Sequence, residues 1–409
     1  MKNSVIEKEK DRKSKGRLLS PSYKKGVVKE KKEIQDEFKL NLVLSIEDDE
    51  KLESLENKTS NELSEKDNEE DNINKDKNNE GIENKEEISP KNSKPKKEMD
   101  NIEVFPDGHV KNMASYSQAG KGEDDFTKVN QNSFIVIQNE YKLPDFNIFA
   151  VLDGHGENGH LVSRFITKYF ATFFKKNKKM KILKSENEVY NRLKKNNYDI
   201  LKRVYKHSEK DINKSNIDAN FSGTTCVMVF QIGNKIICAN VGDSRAIMIK
   251  GEKGKKIIEL SKDQKPDDPE EKKRIESKGG EIAQYEEDGE KCGPYRVWAK
   301  GQTYPGIAMS RSIGDFIATT LGVIPEPVCV EENIDKDTKY IVVASDGIWE
   351  FLSNKKVSQI VFPFYEKNDP DGACKALIKE ATNFWNNEDI VVDDITVIVV
   401  FFWYNLYIR

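Results

Sequence analysis

What this 409-residue chain has little of is informative first. Residues 1–102 hold no tryptophan, no cysteine, a single phenylalanine (Phe38) and a single tyrosine (Tyr23). A stretch so poor in bulky apolar side chains cannot bury enough surface to offset its ordering entropy. The sequence therefore predicts a disordered, low-complexity charged tail over residues 1–102. No apolar run approaches the ~20 residues that a membrane helix needs, so no membrane span is expected. The start, Met1-Lys2-Asn3-Ser4, lacks an apolar signal-peptide core, and Lys2 stands where myristoylation needs glycine. Cysteine is scarce as well. Its five positions (Cys226, Cys238, Cys292, Cys329 and Cys374) are odd in number and show no zinc-type spacing. Reduced thiols in an intracellular, cytoplasmic setting are the expectation. A net charge of only −4 exerts no global pull toward nucleic acid, which is not expected as a partner.

What is present divides in two. The tail is charge-blocky: residues 1–40 hold 13 Lys/Arg against 7 Asp/Glu, and residues 41–90 hold 6 against 17. The basic block reads either as a solvated charge run or as a nuclear-import or anion-binding patch, which adds the nucleus to the expected locations. Leu40, Leu42, Val43, Leu44 and Ile46 form its one apolar cluster, a candidate docking segment. Ser20-Pro21 and Ser89-Pro90 are candidate sites for proline-directed phosphorylation. From residue 103 to 409 the composition becomes that of a globular domain. Ser133 to Ile137 and Ile148 to Leu152 read as buried strands. Leu161, Val162, Phe165, Ile166, Tyr169, Phe170, Phe173 and Phe174 form a helical stripe, and a second helix is expected from Glu186 to Glu209. Strands then dominate, with Gly233-Asn234 and Gly242-Asp243 as tight turns. Residues 261 to 305, polar and rich in glycine and proline, read as a flap with one short helix. Helices near 354 to 361 and 370 to 385 precede a last strand from Ile395. Strands and helices without a βαβ rhythm predict an α+β fold: two antiparallel sheets flanked by helices in a four-layer α-β-β-α sandwich.

Three places share one design. An apolar strand runs into Asp153-Gly154-His155-Gly156, another into Ser345-Asp346-Gly347, and a third begins just after Asp393-Asp394. If the strand ends of one sandwich converge, three carboxylates meet at one edge and repel unless a cation lies between them. Two Mg²⁺ or Mn²⁺ ions suit such oxygen ligands, and a binuclear site is a common device for hydrolysing phosphate esters. Three unrelated turns capped by aspartate are the bland alternative.

Several segments, in order, carry a resemblance. They are Phe149 to Gly156, Ser222-Gly223-Thr224-Thr225, Ala239 to Ala246 around Val241-Gly242-Asp243-Ser244-Arg245, Gly306 to Asp315, Ala344 to Glu350, and Asp393 to Ile398. With them the chain resembles the metal-dependent serine/threonine phosphatases of the PPM (PP2C) family over roughly 113 to 402. The resemblance implies hydrolysis of phosphoserine and phosphothreonine in phosphorylated proteins by water activated between two metal ions. It implies that Asp153 bridges the ions, that the Gly154 carbonyl binds one, and that Asp346 and Asp393 hold the other. It makes His155 the general acid and Asp243 the place of a third, weaker ion found in some members. Asp315 lies in a motif near the same edge. Asn132 stands where the family carries an aspartate that orients metal-bound water. Lys128 lies near the position of the family's phosphate-binding arginine, and Gln264 replaces a frequent histidine. A pseudophosphatase that binds phosphoproteins or scaffolds partners is the alternative, favoured by Asn132. The chain is expected to act as a monomer.

Overall fold

A strand covered on both faces needs apolar side chains at every position, and Phe146–Leu152 has them almost without break. All seven residues are buried. By the strand's two-residue period, Phe149 and Val151 face one way and Ile148, Ala150 and Leu152 the other. The computed structural model describes residues 102–104, 113–122, 126–287, 289–388 and 391–403. The expected tail lies outside these except for Ile102, and its apolar cluster and both Ser-Pro pairs lie outside with it.

Two sheets carry the described fold. The first has six strands, in spatial order Ile102–Val104, Ser133–Ile137, Phe146–Leu152, Cys226–Ile232, Lys235–Val241 and Val328–Asn333. The second has five: Lys256–Glu259, Arg245–Lys250, Thr338–Ala344, Ile395–Phe401 and Met113–Gln118. Every pairing is antiparallel except that of Ile102–Val104, which runs parallel to Ser133–Ile137. Phe134, Phe149, Val151, Val227 and Val229 of the first sheet pack against Met248, Ile341, Val343 and Ile398 of the second. The alternate residues of the second sheet, Ile247, Tyr340, Val342, Val397 and Val399, meet Val357, Val361, Ala373, Leu377 and Ala381 of helices Asn354–Glu366 and Pro370–Glu388.

On the outer face of the first sheet lie helices Gly159–Lys176 and Glu186–Asn213. Phe174 meets Phe230 edge-on at 5.3 Å, and Phe170 meets Tyr205 at 4.8 Å. Burying a side chain such as Phe230 contributes about 1.5–3 kcal/mol, and aromatic contacts add about 1. The result is the expected α-β-β-α sandwich.

Local differences from the sequence reading have physical causes. Helix Glu186–Asn213 is broken, with Lys195 extended and Asn196, Asn197 and Tyr198 left-handed. Asparagine tolerates that region better than most residues. Edge strands Met113–Gln118, Lys256–Glu259 and Val328–Asn333 went unanticipated because each is only partly buried and carries polar residues. Residues 261 to 305 hold helix Pro269–Ser277 and most of a three-stranded sheet, Gly280–Glu287, Glu290–Ala299 and Pro305–Ile307. Its hairpin is only partly buried and lacks an alternating apolar face. A separate small core of Ile275, Val297, Ile307, Met309 and Val323 supports it.

Candidate metal centre

The three acids sit where their strands put them. Asp153 directly follows Phe146–Leu152, Asp346 lies two residues after Thr338–Ala344, and Asp393 lies two residues before Ile395–Phe401. The last two strands are antiparallel neighbours, with Ala344 opposite Val397, so the end of one lies beside the start of the other. The backbone of Asp153 is pinned twice: its N–H donates to Thr225 Oγ1 at 3.0 Å, and its carbonyl accepts from Thr225 N at 2.9 Å. Gly154 permits a close approach. A Cβ there would lie 2.4 Å from the Gly159 carbonyl oxygen and 2.5 Å from that of Gln131, so no other residue fits.

The carboxyls act on one another. Burial raises the pKa of Asp153 well above the ordinary range, and Asp346, Asp393 and Asp243 push it further. The carboxyls of Asp153 and Asp346 lie close enough to share a hydrogen bond. Asp346 is raised by burial, then by Asp393 and Asp243. Asp393 is raised by burial, with Lys128 opposing. Lys128 Nζ lies 3.4 Å from Asp393 Oδ1, both side chains being partly exposed, so this pair is weak. The neighbouring Asp394 has a different task. Its Oδ1 accepts from Gly120 N at 2.6 Å and its Oδ2 from Gln131 N at 2.8 Å, which ties two loops to the strand end.

Asp243 is buried and held by Lys265 Nζ at 2.6 Å. His155 Nε2 lies 2.6 Å from Asp315 Oδ2. Burial alone lowers the pKa of His155, but Asp315, then Asp243 and Asp346, overcome it and the net shift is upward. Asn132 is buried, and its Nδ2 donates to Ser345 Oγ and to the Asp394 carbonyl, each at 3.2 Å. Its Oδ1 is buried without a partner. Gln264 braces the loop before Asp243: Oε1 accepts from Gly242 N at 2.7 Å and Nε2 donates to the Asn240 carbonyl at 2.9 Å.

Among the described residues, no three His, Cys, Asp or Glu side chains form a ready metal cage. The donor set nevertheless suits hard divalent cations. It consists of carboxylates and a glycine carbonyl, Asp346 Oδ1 is buried without a partner, and the upward-shifted pKa of Asp153 marks a negative charge that a cation would stabilise. Sequence reasoning missed Lys265 and left Asp315 without a role. Neither contact has a periodic signature, because both cross between segments distant in sequence.

A family model described as protein phosphatase 2C matches residues 118–389. The chain is 31% identical over 300 residues to "Probable protein phosphatase 2C 35" of Arabidopsis thaliana, covering 69% of this chain and 82% of that protein. It is 30% identical over 317 residues to "Probable protein phosphatase 2C 61" of the same plant, covering 73% and 88%. Among solved structures, a serine-threonine phosphatase 2C from Toxoplasma gondii shares the fold with a TM-score of 0.57 at 18% identity, covering 71% of this chain and 94% of that one.

Proposed function

Because the chain belongs to the protein phosphatase 2C family of serine/threonine phosphatases, we propose that it hydrolyses phosphoserine and phosphothreonine in phosphorylated proteins, as a monomer, with two Mg²⁺ or Mn²⁺ ions. The observation that carries this is the set of Asp153, Asp346 and Asp393, gathered at one sandwich edge and each held above the ordinary carboxylate range. In this reading Asp153, the Gly154 carbonyl, Asp346 and Asp393 are the groups that would hold the ions. Bound there, the ions supply a nucleophile from water at neutral pH and a positive field for the phosphoryl oxygens. Lys128 adds a mobile positive charge that draws the phosphate toward Asp393's side of the site. His155 donates a proton to the departing serine or threonine oxygen. Asp243 offers a place for a third, weaker ion, which must compete with Lys265.

The domain is proposed to span residues 103 to 409, with the flap at about 261 to 305 and residues 1–102 as an appended tail. No described helix is long and apolar enough to cross a membrane, and a cytoplasmic or nuclear location is proposed.

Asn132 supports the rival reading of a phosphoprotein-binding pseudophosphatase, because a neutral amide stands beside the acids. Turnover decides between them. The full chain, given Mn²⁺, is expected to release phosphate from an aryl phosphate and from a phosphothreonine peptide, and to stop on chelation. Phosphopeptide binding with no metal-dependent release would establish the rival.

A further inference from the structure

Of the contacts around the acids, the one between His155 and Asp315 is the most elaborately built. The two residues are 160 positions apart and meet through a ribbon of three two-residue strands, Gly154–His155, Gly223–Thr224 and Ile313–Gly314. His155 pairs with Gly223, and Gly223 with Gly314, which brings Asp315 across the ribbon to the imidazole. The middle position must be glycine. A Cβ on Gly223 would lie 2.0 Å from Asp315 Oδ2 and 2.6 Å from Ser312 Oγ.

Asp315 itself is held in a conformation it would not choose. Its φ and ψ are both 49°, the left-handed region, which costs a non-glycine residue about 1 kcal/mol or more. Its N–H donates to the Ser222 carbonyl at 2.9 Å, and the next N–H, of Phe316, donates to Ala219 at 3.1 Å. Ser312 Oγ donates to Asp315 Oδ2 at 2.6 Å, the same oxygen that lies 2.6 Å from His155 Nε2. Asp315 is only 5% exposed. A strained, buried acid fixed from backbone and side chain and aimed at one ring nitrogen needs a reason. The other nitrogen, Nδ1, is buried without a protein partner.

We infer that Asp315 is the positioning residue for His155: it keeps a proton on Nε2, so that the proton the ring gives up is the one on Nδ1. This rests on the reading of His155 as proton donor. As water oxygen bonds to phosphorus, the bond from phosphorus to the serine or threonine oxygen breaks. Its electron pair stays on that oxygen, and the Nδ1 proton joins it to give the alcohol. The ring is left neutral with Nε2–H still donating to Asp315, the water's surplus proton passes to solvent, and Nδ1 regains one from solvent. Without the carboxylate the neutral ring is free to place its proton on Nδ1 or turn away, as orienting acids elsewhere prevent.

The test uses the full chain loaded with Mg²⁺, which is diamagnetic, and ¹⁵N-labelled at its four histidines. Loss of the His155 signals in His155→Ala assigns them. In the wild type the neutral ring is expected as the Nε2–H tautomer, and in Asp315→Asn the tautomer is expected to shift. The same variant should slow a phosphothreonine peptide about a hundredfold, with KM little changed, and an aryl phosphate with a good leaving group only a few-fold. Ser312→Ala removes one support and is expected to move both readouts the same way by a smaller amount, even if Asp315→Asn folds poorly. An unshifted tautomer in Asp315→Asn, or equal slowing of both substrates there while His155→Ala discriminates between them, overturns the inference. If His155→Ala itself slows both substrates alike, the proton-donor reading fails instead, and the tautomer alone decides what Asp315 does.

Discussion

Two acid-rich regions of this domain are built on opposite principles. At the sandwich edge, Asp153, Asp346 and Asp393 are brought together with little protein cation among them, and each is pushed toward its protonated form. Beneath the flap, Glu271 is also buried, and burial also raises its pKa, but its neighbours reverse the sign. Glu271 Oε1 accepts from Arg311 Nη2 at 2.6 Å, and Oε2 accepts from Arg274 Nη2 and Ser310 Oγ, each at 2.7 Å. Its pKa falls to about 2. The sequence supplies carboxylates to both places, and only the company they keep differs. Where the protein provides the counter-charge, the acid holds the flap helix to the loop before Asp315. Where it withholds the counter-charge, the acids cost stability and await a cation.

Removing a charge from the edge is the strongest way to break that comparison. Asp153→Asn is expected to cut Mn²⁺-dependent turnover at least about a thousandfold, because the carboxylate proposed to hold both ions is lost. The same change should raise the melting temperature in chelator, since it relieves repulsion among buried acids. Turnover within tenfold of wild type, or a lower melting temperature in chelator, breaks the contrast.

A third buried acid sharpens it. Glu209 lies behind the Gly314–Asp315 turn, accepts from the Gly314 N–H, and has its Oε1 buried without a partner. Burial first, then Asp315, raise its pKa to about 8. An unfolded glutamate ionises near pH 4.5, so the folded state binds the extra proton between about 4.5 and 8, and stability falls as pH rises through that window. The loss is on the order of 5 kcal/mol. Glu209→Gln keeps the neutral shape and removes the loss. Its stability relative to wild type should rise steadily from pH 5 to 8, as read by denaturant midpoints. A constant difference would mean that Glu209 is ionised throughout.

For Glu271 the sign is the reverse. A folded pKa near 2 against about 4.5 unfolded means stabilisation that is complete above pH 4.5 and lost as pH falls toward 2. Glu271→Gln is expected to cost about 3 kcal/mol at pH 7. The gap to wild type should close on acidification toward pH 2. A gap independent of pH would place the cost in packing instead of charge.

How far these regions were legible in the sequence follows from their construction. The strand ends carrying Asp153, Asp346 and Asp393 announce themselves, because a strand buried on both faces is an apolar run and the acid that stops it stands out. The two layers of helices were likewise readable from stripes such as Phe165 to Phe174. The flap's strands were not, since this partly buried hairpin lacks the apolar alternation that marks a strand. Nor could adjacency in sequence separate Asp393 from Asp394. The difference is that the two oxygens of Asp394 are taken by the N–H groups of Gly120 and Gln131, loops that only the fold brings near. The braces of Glu271, Asp243 and His155 are long-range pairs of the same kind, invisible until the chain is closed.

The smallest expected effect is at Asn132, a neutral amide at the acidic edge. Its Nδ2 is occupied by Ser345 and the Asp394 carbonyl, while its buried Oδ1 has no partner. The amide therefore keeps the shape and one acceptor of a carboxylate without the charge. Asn132→Asp adds a negative charge beside Asp346 and removes the two donors. With chelator present the variant should melt lower, because a fourth acid joins a cluster that is already repulsive. With Mn²⁺ the sign reverses: the metal concentration for half-maximal rate should fall about tenfold or less, since an outer partner is typically worth about 10–100-fold and asparagine retains part of it. Isothermal titration with Mn²⁺ and a rate curve on an aryl phosphate read the two halves separately. If metal affinity does not change in an active enzyme, position 132 does not tune the centre. If the wild-type chain is inert and the aspartate makes it a phosphatase, the natural protein binds phosphoproteins without hydrolysing them.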